Sequence, residues 1–149
     1  MQYWFYHLER SSLEAALVPL LEKCLANDWP CLIRARSNET LELLDKSLWT
    51  FKENSWLPHA IEKEGIEPTE QPILLTTSVE NNNFAQAVFI LEDAEIGDIE
   101  GIERAFYLID GNNENMIKAA RIAYKNAKDN GFDLSYWQQD ENGKWGKKA

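Results

Sequence analysis

The chain has 149 residues, six tryptophans, a hydrophobic fraction of 44% and a net charge of −10. This balance excludes a disordered chain and argues against an extended nucleic-acid footprint, because domains of that kind usually carry a basic balance. No run of about 18 apolar residues occurs, so nothing reads as a membrane span. The N-terminus Met-Gln-Tyr-Trp-Phe-Tyr-His7 lacks the basic stretch and small-residue cleavage site of a signal peptide. Cys24 and Cys31 form neither a Cys-x-x-Cys pair nor a zinc cluster; buried free thiols in a reducing compartment, and hence the cytoplasm, are expected.

One domain covering 1–149 is expected at this length. Residues 3–8 form a short aromatic run that predicts a first strand. Ser11 and Glu14 have the spacing of a capping box, and Leu13, Ala16, Leu17, Leu20, Leu21, Cys24 and Leu25 continue at helical spacing to about Asn27-Asp28. Pro19 lies inside that helix, where a kink is expected. Residues 30–35 read as a buried strand. Ser37 or Asn38 then caps a second helix, with Leu41, Leu44, Leu48 and Trp49 on its inner face. Strand, helix, strand, helix at this spacing predicts an α/β fold, a mostly parallel sheet flanked by helices.

The pattern breaks after Leu48. Trp49, Phe51, Trp56, Leu57 and Pro58 are large apolar residues in a polar stretch. Aromatics in such a place fit the core of a protein interface or a plug at the edge of their own sheet. Residues 60–72 are charged, contain Gly65, Pro68 and Pro72, and read as a surface loop. Strands are expected at 73–77, 87–91 and 104–110, with an acidic stretch at 92–103 holding one short helical turn. Asn112 or Asn113 caps a third helix, which Gly131 ends. Residues 133–139 read as a sixth strand. The turn signal Asp140-Glu-Asn-Gly143 leads to a short returning hairpin arm at Lys144-Trp145.

The third helix carries the most pointed chemistry. At helical spacing Lys118, Arg121, Lys125 and Lys128 fall within a stripe roughly 80° wide. Met116, Ala120, Ala123 and Ala127 lie nearly opposite, with Tyr124 between the two faces. No acid lies between Lys118 and Lys128, so the segment carries +4 and leaves −14 for the rest of the chain. A solvated face near a helix C-terminus accounts for part of this. An anionic ligand accounts for it as well, and a small acidic peptide suits a small basic patch on an acidic protein better than a nucleic-acid backbone does.

Catalytic constellations are missing. There is no phosphate loop, and the turn after the first strand is Glu9-Arg10-Ser11-Ser12 instead of a Gly-x-Gly-x-x-Gly. His7 and His59 have no metal-ligand spacing. His7 reads as structural; His59 fits a turn residue or a contact surface equally. Asp110-Gly111-Asn112, at a strand's C-terminal end, reads as turn chemistry and a helix cap, although ligands of α/β folds often bind there. The layout is therefore Rossmann-like without a nucleotide site, and no catalytic residue, metal or cofactor is expected.

In order and spacing the chain resembles the chi subunit of bacterial DNA polymerase III holoenzyme, a clamp-loader accessory family. The resemblance rests on Phe5-Tyr-His-Leu8, Leu44-Asp-Lys-Ser-Leu-Trp-Thr-Phe51, Ser55-Trp-Leu-Pro-His59, Gln71-Pro-Ile-Leu-Leu75, Ile109-Asp-Gly-Asn112, Ala123-Tyr-Lys125 and Tyr136-Trp-Gln-Gln-Asp140. It implies a non-catalytic adaptor in DNA replication that binds the acidic, Phe-ending C-terminal tail of single-stranded DNA-binding protein. It also implies a second partner, the psi subunit, which links the adaptor to the clamp loader. The family's tail-binding positions carry over to Arg121, Tyr124 and Lys125, with Lys118 and Lys128 as nearby cations. The partner surface carries over to Trp49, Trp56 and Leu57, within the run that also holds Phe51 and Pro58. Trp56 stands where better-known members have Phe, and residues 142–149 extend beyond their short end. Two readings compete: a nucleotide- or phosphate-handling enzyme with its ligand near 110–113, and a direct single-stranded DNA binder using the stripe and Tyr124.

Overall fold

Runs such as Cys31-Leu-Ile-Arg34 and Ile73-Leu-Leu-Thr76 show no polar alternation, and each is buried along its whole length. That is the signature of parallel strands covered on both faces. The computed structural model describes residues 1–9, 11–50 and 57–148. In these the order is β1 (Gln2–Leu8), α1 (Leu13–Ala26), β2 (Cys31–Arg34), α2 (Asn38–Thr50), β3 (Ala60–Ile61), a 3-10 turn (Pro68–Glu70), β4 (Ile73–Thr76), β5 (Ala87–Ile90), β6 (Arg104–Asp110), α3 (Glu114–Asp129), β7 (Asp133–Gln139) and β8 (Trp145–Lys147).

The strands form one sheet in the order β3-β4-β2-β5-β6-β1-β7-β8. Every pairing is parallel except that of β7 with β8. From β1 the chain moves through α1 and α2 towards the β3 edge; from β6 it moves the other way, through α3 to β7. Right-handed crossovers taken in opposite directions place their helices on opposite faces. Accordingly Leu17, Leu21, Leu41 and Leu44 pack with Ile33, Leu75 and Phe89 on one face. Ala120 and Ala127 of α3 pack with Phe5, Val88 and Tyr107 on the other.

The predicted α/β architecture stands, with four local differences. The first cap is one residue later than the Ser11/Glu14 box: Ser12 Oγ accepts from the Ala15 amide at 3.1 Å. Ser11 is otherwise engaged, its amide donating to Gln139 Oε1 and its hydroxyl accepting from Gln139 Nε2. Trp49 is not on the inner face of α2; it is 48% exposed, whereas Leu41, Leu44 and Leu48 are buried. Residues 60–72 are not all loop, because Ala60 and Ile61 pair with Leu74 and Leu75 as a two-residue edge strand. The acidic stretch 92–103 contains turns and no helix.

That stretch is held by Arg34, 1% exposed at the end of β2. Its guanidinium donates to the carbonyls of Ile96, Val79 (3.0 Å) and Asp98 (3.4 Å). Gly97, at φ +71°, lies so close that a Cβ there would meet the Val79 carbonyl at 2.5 Å, so the clamp requires glycine. α1 runs through Pro19 as a single helix.

Candidate functional site

The α3 segment is fixed at both ends by its own sequence. Asn113 Oδ1 accepts from the amides of Asn115 (3.1 Å) and Met116 (3.2 Å). At the other end Gly131, at φ +78°, lets its amide reach the Lys128 carbonyl and the Phe132 amide reach that of Ala127. This is a Schellman arrangement, available to glycine without a Cβ penalty. Between these caps, small residues set the approach to the sheet, with Ala120 and Ala127 buried.

The opposite side of the helix carries the predicted row. Lys118, Arg121, Lys125 and Lys128 are all exposed, and among the described residues none forms a salt bridge. Tyr124 lies half-buried beside them. Its ring meets Phe5 edge-on at 5.2 Å and Tyr136 of β7 at 6.1 Å. The structure therefore brings the five predicted residues onto one flank and adds two that helical spacing does not point to, Tyr136 and His7. Alternation along β7 places Tyr136 on the α3 side of the sheet, a period-2 signal that the sequence does carry. The Tyr136 hydroxyl and His7 Nδ1 share a hydrogen bond of 2.8 Å. Burial raises the Tyr136 phenol above its ordinary pKa, the nearby Arg121 guanidinium opposes this, and Glu9 adds to it. Tyr136 is thus a neutral, protonated group at physiological pH.

The aromatic segment divides. Trp49 is exposed and packs its ring on His59 at 4.2 Å between centroids. Leu57 is only 2% exposed and belongs to the core under α2, and Pro58 is half-buried. Phe51 and Trp56 lie outside the described residues. His59 is buried, with Nε2 3.2 Å from Asp45 Oδ1 and Nδ1 against the Leu57 carbonyl. It ties the segment to α2 and is not a contact surface.

At the C-terminal ends of β1, β5 and β6 lies a cavity of about 330 Å³, lined by Leu8, Ser12, Leu91, Glu92, Asp110 and Asn112 among others. This is where a Rossmann-like sheet holds its ligand. Here a side chain of the protein takes up backbone donors of the β1–α1 turn. The amides of Glu9 and Ser11, which a phosphate would use, both donate to Gln139 Oε1 at 3.0 and 3.2 Å. Among the described residues the charged side chains at the cavity are the carboxylates Glu92 and Asp110, and Asp110 Oδ1 accepts from the Asn112 amide as a turn. Among the described residues no group of three or more metal-ligating side chains occurs, and no helix is long and apolar enough to cross a membrane.

The architecture defines a mostly parallel α/β domain whose third helix carries a row of exposed cations. A family model described as "DNA polymerase III chi subunit, HolC" matches residues 1–135, and the chain belongs to that family. It is similar to a "Probable DNA polymerase III subunit chi" from Rickettsia prowazekii (strain Madrid E), with 30% identity over 98 residues, 66% of this chain and 59% of that protein. The chain thus matches about three fifths of that relative's length. Among solved structures it is similar to a Saccharomyces cerevisiae chain titled "S. cerevisiae Dbp5 L327V C-terminal domain bound to Gle1 H337R and IP6". That match has a TM-score of 0.56 and 13% identity over 90% of this chain and 88% of that one. At this identity the likeness concerns the fold alone.

Proposed function

We propose that this chain is a non-catalytic, cytoplasmic accessory subunit of the replicative polymerase holoenzyme that binds the acidic C-terminal tail of single-stranded DNA-binding protein. In this reading Arg121, Tyr124 and Lys125 form the tail site, with Lys118 and Lys128 adding charge. Trp49, together with Phe51, Trp56, Leu57 and Pro58, belongs to the surface for a psi-type clamp-loader partner, Leu57 acting as the buried root that holds the segment. The observation that carries the proposal is the row of exposed cations without carboxylate partners among the described residues, set beside an aromatic ring pair, on a protein of net charge −10. Arg offers a bidentate fork to a carboxylate, Lys offers point charge, and Tyr124 and Tyr136 supply apolar surface for a terminal aromatic. The amides of Glu9 and Ser11, already taken by Gln139, and the carboxylates of Glu92 and Asp110 at the neighbouring cavity support this reading over a nucleotide-handling enzyme.

Fluorescence anisotropy with a labelled acidic, Phe-ending peptide tests it. Arg121→Ala and Lys125→Glu should each weaken binding at least several-fold with the circular dichroism spectrum unchanged, and the affinity should fall with added salt. Unchanged affinity in both variants would remove the site from α3.

A further inference from the structure

Resting on that reading, we infer that the β7–β8 hairpin forms a second bank of the same site. The acidic tail lies extended on the open sheet face between α3 and β8, over Tyr136, with Lys144 and Lys148 meeting it from the side opposite Arg121. The hairpin lies largely beyond the residues that match the family model, 1–135.

The register decides which side chains share this face. Gln139 pairs with Trp145, Gln138 with Gly146 and Trp137 with Lys147, and directly paired residues point to the same side of a sheet. Tyr136 faces α3, as its contact with Tyr124 shows, so by alternation Gln138 and Gly146 face α3 as well. Trp145 and Lys147 face the other way, and Trp145 meets Tyr6 edge-on at 5.2 Å on the α1 side. Lys144 and Lys148 flank Gly146 at two residues' distance and return to the α3 side. Lys148 is level with Tyr136, whose carbonyl accepts its amide at 2.7 Å.

Between the two banks the floor is low. A Cβ on Gly146 would have nothing nearer than the Gln138 carbonyl at 3.9 Å. β8 stands two strands from β1, on whose Phe5 Tyr124 rests, a lateral distance of roughly 10 Å at ordinary strand spacing. One extended chain fits that width.

Charge selects the occupant. Lys144 and Lys148 are exposed and, like the α3 row, form no salt bridge among the described residues. The nearest acids are largely committed. Asp140 Oδ1 accepts from the amides of Asn142 (2.8 Å) and Lys144 (3.0 Å), and Glu9 Oε1 accepts from Gln138 Nε2 at 2.7 Å and lies 3.6 Å from His7. Glu141 and Asp133 sit exposed at the two ends of the hairpin and strand. A channel with cations on both sides and a tyrosine floor suits an acidic polypeptide longer than its last few residues.

Lys147 and Lys148 make the test sharp, since they are adjacent, equally charged and on opposite faces. Two labelled Phe-ending peptides are titrated against the full chain: a short one of about four residues and an Asp-rich one of roughly ten, spanning about 33 Å when extended. Lys148→Glu should weaken the long peptide about three- to tenfold and flatten its salt dependence, while leaving the short peptide within about twofold. Lys147→Glu should leave both within about twofold. If Lys148→Glu and Lys147→Glu behave alike while Arg121→Ala weakens both peptides, the second bank is overturned and the α3 site stands. If Arg121→Ala weakens neither, the α3 reading itself fails. An oligo-dT strand whose binding Lys148→Glu weakens, with the long peptide unaffected, would overturn the inference in favour of nucleic acid.

Discussion

Two regions of this molecule treat polar groups in opposite ways. Along the rim at the C-terminal ends of the strands, the chain satisfies itself. Arg34 spends its guanidinium on loop carbonyls, and Gln139 spends its amide on the β1–α1 turn. On the α3–β7 flank four cations and a row of rings stand without ionic partners among the described residues. A parallel α/β sheet normally offers ligands its rim. Here donors and carbonyls of the rim are tied up in long-range hydrogen bonds, and in the proposed reading the ligand is held on the outer side of a helix instead. It follows that rim substitutions should cost stability and spare peptide binding, and flank substitutions should do the reverse.

The largest effect is expected at Arg34. A buried hydrogen bond to a charged donor is worth about 1.5–3 kcal/mol, and carbonyls left unpaired cost more. Arg34→Met keeps much of the length and removes every donor that holds Ile96, Val79 and Asp98. The urea midpoint should fall by an amount equivalent to roughly 3 kcal/mol, with tail-peptide affinity within about twofold. A loss below about 1 kcal/mol would mean that the carbonyls regain water at little cost. The rim would then not be tied up in the sense argued.

A smaller loss is expected for Gln139→Leu, on the order of 1–2 kcal/mol, because the amides of Glu9 and Ser11 lie near enough to solvent to recover part of their hydrogen bonding. The same substitution sharpens the comparison in a second way. It vacates the acceptor now occupying two amides of the β1–α1 turn, just ahead of a helix N-terminus, where anions are favoured. Millimolar phosphate should therefore raise the melting temperature of Gln139→Leu more than that of the unaltered protein. Equal shifts would show that Gln139 is not what keeps anions from the turn.

These two regions are unequally legible in the sequence. The α3 row follows from one local period, and every residue in it lies within eleven positions, so Lys118, Arg121, Tyr124, Lys125 and Lys128 can be read from spacing alone. The strands are legible for the same reason, as unbroken runs such as Ile73-Leu-Leu. The rim is not. Gln139 meets Ser11 across 128 positions, and no local pattern marks a glutamine in an edge-proximal strand as the lock of a distant turn. That contact also explains why the cap falls on Ser12, since Ser11 has a partner that the capping-box spacing does not include. Ala60 and Ile61 escape because a two-residue edge strand has no periodicity to read. Trp49 misleads because it follows Leu48 directly in sequence although about 100° separates them round the helix, and its ring turns to His59, a contact set by the return of the chain.

The smallest effect is the most diagnostic. Arg121 sits mid-helix, away from the last turn where the macrodipole favours cations, and it has Lys118 and Lys125 as neighbours at three and four residues. Like charges at that spacing repel by about 0.2–0.5 kcal/mol per pair, and alanine is the best helix former. In the absence of ligand Arg121→Ala should therefore leave stability unchanged or raise it by a few tenths of a kcal/mol, visible as a melting temperature equal to or slightly above that of the unaltered chain. The same variant should lose peptide affinity several-fold. A residue that costs the fold a little and serves only a ligand has that pair of signs. A residue whose charge merely solvates the helix, or braces Tyr136, would show a loss of about 1 kcal/mol or more on removal, and that result would return the stripe to the class of structural surface.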